Sequence, residues 1–271
     1  MAIADVSLTS GMRSNLLQLQ GTAKLIDRTQ ERLSTGKQVN SALDNPTNFF
    51  AAQAASNRAN DFSSRKDAMG EAIQTVKAAD NGITAVSALV AAAKGLAEAA
   101  LGTASTADRS TFAAQYDIIR TQIDTLASDA SYRGTNLLTG NTLTVNFNET
   151  ASATLTVTGI TGTAAGLAVG SAQGNWSSTA QITTAQTGLG SAEATLRSNS
   201  KSLAGNLNII TTRQNFTDSM ISTLQTGADN LTLADMNNEG ANMLMLQTRQ
   251  SLGTTALSMS SQAAQSVLRL F

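Results

Sequence analysis

The side chains able to do chemistry in this 271-residue chain are few, and their types exclude more than they allow. There is no Cys and no His, which removes thiol nucleophiles, imidazole bases, Ser–His triads, HExxH zinc sites and Cys/His structural metals together. Carboxylates remain, but no cluster of Asp and Glu stands out as an acid–base pair. Gly188-Leu189-Gly190 lacks the third glycine and the preceding strand of a dinucleotide site. Four Asn-X-Ser/Thr triplets, starting at Asn148, Asn175, Asn215 and Asn230, match the N-glycosylation pattern, which arises readily by chance. The 18 Lys and Arg are dispersed against 19 Asp and Glu, leaving a net charge of −1. No global field therefore favours nucleic acid or an anionic membrane. We expect no catalytic residue, no metal site and no cofactor, so the chain does not read as an enzyme.

What is left is the chemistry of surfaces. Gly240–Phe271 holds only two charged residues, Arg249 and Arg269, in 32 positions. Its apolar side chains, among them Met243, Leu246, Leu257, Val267, Leu268 and Phe271, are not confined to one stripe. A helix that is apolar on several faces must be covered on several faces, and one partner helix covers a single seam. At the other end of the chain, Met12, Leu16, Leu19, Ala23, Ile26 and Leu33 are spaced 4, 3, 4, 3 and 7, a coiled-coil seam. The two ends are expected to pair, with further copies of the chain covering what remains.

The elements that position these ends are set by periodicity. Gly36 is a stop for a first helix, and Asn45-Pro46 marks a break, with Asp44 able to cap the next helix. A second helix over 47–100 carries Met69, Ile73, Val76, Ile83 and Val90, with Asn81-Gly82 a candidate irregularity. A third, after the cap candidates Thr106 and Asp108, carries Phe112, Tyr116, Ile119, Ile123 and Leu126. Near Thr139 the period changes to two: Leu143, Val145 and Phe147, then Leu155 and Val157, predict a β-hairpin turning over 148–153. Residues 159–180 are rich in Gly, Ala, Ser and Thr and read as a surface loop that Trp176 packs down. Ile182, Leu189, Leu196, Leu203 and Ile210 then return at intervals of seven, and 231–271 is expected to be helical throughout.

The fold class is thus mainly α: an elongated antiparallel helical bundle and coiled coil, with the terminal helices paired and a small hairpin insert. The expected division is a terminal coiled coil of 1–42 and 231–271, a helical rod of 43–138 and 181–230, and a hairpin-and-loop region of 139–180. Aromatics make up only 4% of the chain, which suits thin helical packing better than a globule built on aromatic anchors. Residues 1–14 lack the basic start, apolar core and cleavage site of a signal peptide, and no run of about 18 apolar residues is seen.

Specific residues carry a family resemblance. Residues 30–50 resemble the flagellin N-terminal signature, notably Arg32-Leu33-Ser34-Thr35-Gly36-Lys37 and Asp44-Asn45-Pro46. Residues 132–138 (YRGTNLL) resemble the segment that precedes the family's variable region. Residues 233–271 are similar to the flagellin C-terminal region, including Leu246-Gln247-Thr248-Arg249-Gln250 and the final Leu-Arg-Leu-Phe. The resemblance spans 1–140 and 182–271.

It implies a homopolymer, the extracellular bacterial flagellar filament used for swimming. It also implies unfolded export through a type III apparatus, without a cleaved signal peptide. The implied partners are other copies of the chain, an export chaperone, a cap protein and hook-junction proteins. Two rivals are a hook–filament junction protein and a secreted adhesin on a helical stalk; the second needs a larger binding head than 139–180 supplies. One departure bears on immunity. Enteric flagellins carry a stretch like LQRVRELA that an innate immune receptor reads. The matching stretch here, 88–97, has Ala92 for the key arginine and Gly95 for the glutamate, retaining Lys94 and Leu96. Weak or no receptor recognition is expected.

Overall fold

In a computed structural model that describes residues 10–268, with side chains described to Ser266, five α-helices and one two-stranded sheet are present among the described residues. The helices are α1 (Ser10–Thr35), α2 (Pro46–Gly102), α3 (Thr106–Asp129), α4 (Thr179–Thr232) and α5 (Met236–Leu268). Strands β1 (Thr142–Asn146) and β2 (Thr154–Thr158) pair antiparallel, with Leu143 opposite Val157 and Val145 opposite Leu155. Contacts divide the chain into two compact units, Met1–Asn57 with Thr223–Phe271, and Arg58–Ser222. The boundaries fall inside α2 and α4.

The Arg58–Ser222 unit is closed around one core. Every residue of the α4 row, Ile182, Leu189, Leu196, Leu203 and Ile210, is buried, as a strict seven-residue spacing requires of a helix with one continuous contact face. From α2 come Met69, Ile73, Val76, Ile83, Val86 and Val90 with small Ala79, Ala93, Ala97 and Ala100; from α3 come Tyr116 and Ile123, with Phe112, Ile119 and Leu126 at the margin. The hairpin gives Val145, Phe147 and Val157 to the same core, so the alternating pattern was a true inward face. Helix α2 contains an 18-residue window of mean hydropathy 1.4, long and apolar enough to cross a bilayer by composition alone. The sequence reading saw no such stretch. The buried Met, Ile and Val of α2 belong instead to the shared core.

Several local details differ from the sequence reading. Asn45, not Asp44, caps α2: its Oδ1 accepts from Asn48 N at 3.1 Å, with Pro46 at the first helical position. Ser105 caps α3, its side chain accepting from Asp108 N. Gly82 does not disturb α2. A Cβ there would lie 2.6 Å from both Ala130 Cβ and Leu138 Cδ1, so glycine is required by close packing. The stretch after residue 231 is not one helix: α4 ends at Thr232, and Asp235 starts α5 by accepting from Asn237 N and Asn238 N.

The largest difference is at 159–180, which is not a mere surface loop. Ala164, Leu167, Val169 and Trp176 are buried, and Trp176 lies 4.9 Å from the Tyr116 ring centroid. Side chains of α3 hold its backbone: Tyr116 Oη donates to Gly170 O (3.1 Å), Arg120 Nε to Val169 O (3.1 Å), while Asp117 Oδ1 accepts from Ala172 N (3.0 Å) and Asp124 Oδ1 from Ala164 N (2.8 Å). Burial pushes the Tyr116 hydroxyl up to about 12, keeping it a donor at any ordinary pH.

Asn136 completes the packing of α3. It is buried, its Nδ2 donates to Ala127 O and Ser128 O at the end of the helix, and its Oδ1 accepts from Leu138 N. Asn136→Ala leaves these backbone groups without partners, at about 1–3 kcal/mol for such a loss. We expect a lower melting temperature with unchanged helical content before the transition, measured by far-UV circular dichroism and the fluorescence of Trp176.

Candidate self-assembly surface

The unit formed by Met1–Asn57 and Thr223–Phe271 is built differently. Here α1 packs antiparallel along α5. Arg32 Nη1 meets Glu239 Oε1 at 3.0 Å at one end, and Leu19 reaches Gly253 further along. A Cβ on Gly253 would sit 2.7 Å from Leu19 Cδ2, so this glycine lets the two helices approach closely. Arg32 belongs to the last turn of α1 and Glu239 to the first turn of α5, each charge complementing the helix end that carries it. Their side chains are only 20% and 10% exposed, and the pair fixes the register of α1 against α5.

Backbone bonds tie the same region together. Gln38 N and Val39 N both donate to Thr232 O, and Ala234 N donates to Gly36 O at 2.9 Å. Gly36 closes α1 at φ +70, its N–H donating to Arg32 O. Lys37 bridges Leu233, Thr35 Oγ1 accepts from Lys37 N, and Ser34 is exposed. Much of the signature stretch therefore shapes this junction. Asp44 folds the following turn: Oδ2 accepts from Asn40 N, Ser41 N and Ser41 Oγ. The bonds from Ser41 and then Asn40 hold its carboxyl below the usual carboxylate range.

Burial along the pair is shallow. On α1 the buried positions are Thr22 and Thr29, one heptad apart and offset from the apolar seam. Met12, Leu19, Ile26 and Leu33 are half-buried and Leu16 is exposed. On α5, Leu246 is buried, Met243 and Leu257 are half-buried, and Leu244, Met245, Leu252 and Met259 are exposed. Val267 and Leu268 continue the α5 backbone, but their side chains, and Phe271, lie outside the described residues. Threonines thus take the buried positions of α1, while its larger apolar side chains are only partly covered. Sequence reasoning missed Thr22, Thr29, Glu239 and Gly253. The seven-residue interval between the two threonines was the available signal.

Of the stretch matched to the immune epitope, Ala92 and Gly95 are exposed on α2, Leu96 is half-buried, and Lys94 Nζ lies 3.7 Å from Glu193 Oε2. Among the described residues, no group of three or more Asp and Glu comes together to hold a metal.

A closed helical core in one unit and an incompletely covered helix pair in the other define a class: a mainly helical protein whose paired terminal helices keep large apolar side chains exposed. A model of the bacterial flagellin N-terminal helical region matches residues 7–142. Flagellin FljO of Caulobacter vibrioides is 30% identical over 280 residues, covering all of both chains. The flagellin of Brucella melitensis is 30% identical over 284 residues, covering 99% of each. A crystal structure of Bacillus cereus flagellin aligns with 54% of this chain and 86% of that one, at TM-score 0.48 and 20% identity. The chain belongs to the bacterial flagellin family, and its role is that of a structural subunit of the extracellular flagellar filament.

Because Gly253 sets the approach of α1 to α5, Gly253→Leu should push the helices apart, at the roughly 1–3 kcal/mol typical of overpacking. The expected outcome is lower thermal stability of filaments with little change in the main monomer transition. Both are read by circular dichroism and sedimentation.

Proposed function

We propose that this chain forms the bulk of the filament, through its terminal helices and without any enzymatic activity of its own. It leaves the cell unfolded by the flagellum's export apparatus, with no cleaved signal peptide and with a chaperone shielding the C-terminal segment. It joins the growing end beneath a cap, on a base of hook-junction proteins. The single observation that carries this is the cluster of exposed Leu and Met on α5, next to a buried Leu246. Such a surface is unfavourable in water and gains about 1.5–3 kcal/mol for each large apolar side chain fully covered.

The expected work of the terminal coiled coil falls to Met12, Leu16, Leu19, Ile26 and Leu33 on one side and Met243, Leu246, Leu257, Val267, Leu268 and Phe271 on the other. Leu257→Asp places a charge where assembly leaves neither water nor a counter-charge, costing several kcal/mol per subunit. Export should persist while polymerisation fails, as judged by secreted protein and by electron microscopy of seeded samples. Normal motile filaments would refute the buried placement.

A second reading concerns immune recognition, and the exposure of Ala92 and Gly95 favours it. Neither offers a side-chain hydrogen bond, whereas an interfacial Arg is often a hot spot. Loss of one such anchor commonly costs about 2 kcal/mol, roughly thirtyfold in affinity. Purified monomer should be a poor agonist in a receptor-reporter assay, and Ala92→Arg should raise its potency. Activation by the unmodified chain equal to that of an enteric flagellin would end the idea.

A further inference from the structure

The turn joining α1 to α2 carries a side chain that neither the helix pair nor the core uses. Leu43 is 97% exposed, yet its position is fixed. Leu43 N donates to Ser41 Oγ, Asp44 N donates to Ser41 O, and Asp44 Oδ2 gathers its three donors from residues 40 and 41. Asn45 and Pro46 then start α2 at once. An apolar side chain held in water by an ordered turn has already given up much of the backbone freedom that docking would cost. Phe50, one turn into α2, is 61% exposed and stands edge-on to Phe49, ring centroids 5.6 Å apart.

Residues 38–57 around this pair contain one charged side chain, Asp44. Its Oδ2 is engaged by its own turn. The patch therefore presents an apolar knob beside one exposed carboxylate, that of Asp44, among otherwise uncharged Ser, Asn, Gln, Thr and Ala.

We propose that Leu43, with Phe50 also exposed in the first turns of α2, is an anchor that seats in a second copy of this chain within the filament. The proposal rests on the filament reading and adds a contact outside the α1–α5 pair. Charge matching selects the occupant. A nucleic acid, an anionic lipid or a strongly charged protein finds little here to pair with, whereas an uncharged apolar surface fits. The same unit carries a mostly apolar surface with one cation, an open groove along α5 lined by Ala241, Leu244, Met245, Thr248, Arg249 and Leu252. In a head-to-tail lattice, knob and receiving face must both belong to one chain.

The chain has no cysteine, so Leu43→Cys introduces a single thiol. Doped as a minor fraction into unmodified chain, it is carried into filaments, and maleimide labelling is compared between monomer, filament and heat-dissociated filament. We expect free labelling of the monomer, slowing by at least about tenfold in the filament as for a group exposed only by local opening, and recovery on dissociation. Equal rates in monomer and filament would overturn the proposal. So would protection conferred on the monomer by an added export partner but absent from pure filaments. Exclusion of the variant from filaments, while its monomer keeps the unmodified far-UV spectrum, would support it.

Separately, Leu43→Asp should raise the critical concentration on the order of tenfold or more, as loss of a buried leucine implies. Leu43→Met should leave it within a few-fold. An unchanged critical concentration for Leu43→Asp would likewise overturn the anchor. Failure of the unmodified chain to polymerise would instead count against the filament reading itself.

Discussion

The apolar row of α4, five side chains at intervals of seven, cannot be left in water, and the closed unit is arranged around covering it. At about 1.5–3 kcal/mol for each fully buried large aliphatic side chain, Ile182, Leu189, Leu196, Leu203 and Ile210 form one continuous demand for a facing surface. Helix α2 contributes Met, Ile and Val to that core together with alanines at 79, 93, 97 and 100. Small residues of this kind let helices lie close while the larger ones interdigitate. Helix α3, the hairpin and the 159–180 segment complete the core, with Trp176 buried against Tyr116.

The unit made from the two chain ends answers the same demand only in part. Helix α1 has α5 beside it, and threonines occupy the buried positions of α1. The ion pair of Arg32 and Glu239, with the backbone bonds of Gln38, Val39 and Ala234, fixes how the chain ends align. Those bonds do not cover Leu244, Met245, Leu252 or Met259. An incompletely covered apolar helix is unfavourable in water, and any association that covers it removes that cost. Within this unit polar contacts set the register of the helix pair, while large apolar side chains remain exposed along α5.

This division also accounts for the composition. A filament subunit has no need of imidazole or thiol, and Ser, Thr, Asn and Gln along α5 stand where repeated Lys or Glu would bring like-charge repulsion. The charged residues of the closed unit have local tasks. Asp117, Arg120 and Asp124 use the polar face of α3 to hold the backbone of 164–172, an arrangement in which side chains replace a sheet or helix partner.

The sequence by itself determined whatever depends on period and on local chain chemistry. The seven-residue row of α4, the two-residue alternation of the hairpin, the stop at Gly36 and the break at Asn45-Pro46 all follow from which neighbours share a face and which φ values a residue accepts. The family resemblance was legible for a related reason, since much of its N-terminal signature shapes one junction. Only the tertiary structure decided what depends on distant partners. Gly82 resembles a helix irregularity until Ala130 and Leu138 are seen against it. The 159–180 segment resembles a loop until Tyr116, Asp117, Arg120 and Asp124 are seen to hold it. Thr22 and Thr29, not the leucine seam, are the buried positions of α1, and Leu19 finds its close contact only because residue 253 of α5 is glycine. Periodicity tells which side of a helix is apolar; how near the partner comes, and which residue that distance admits, is set by atoms far away in the chain.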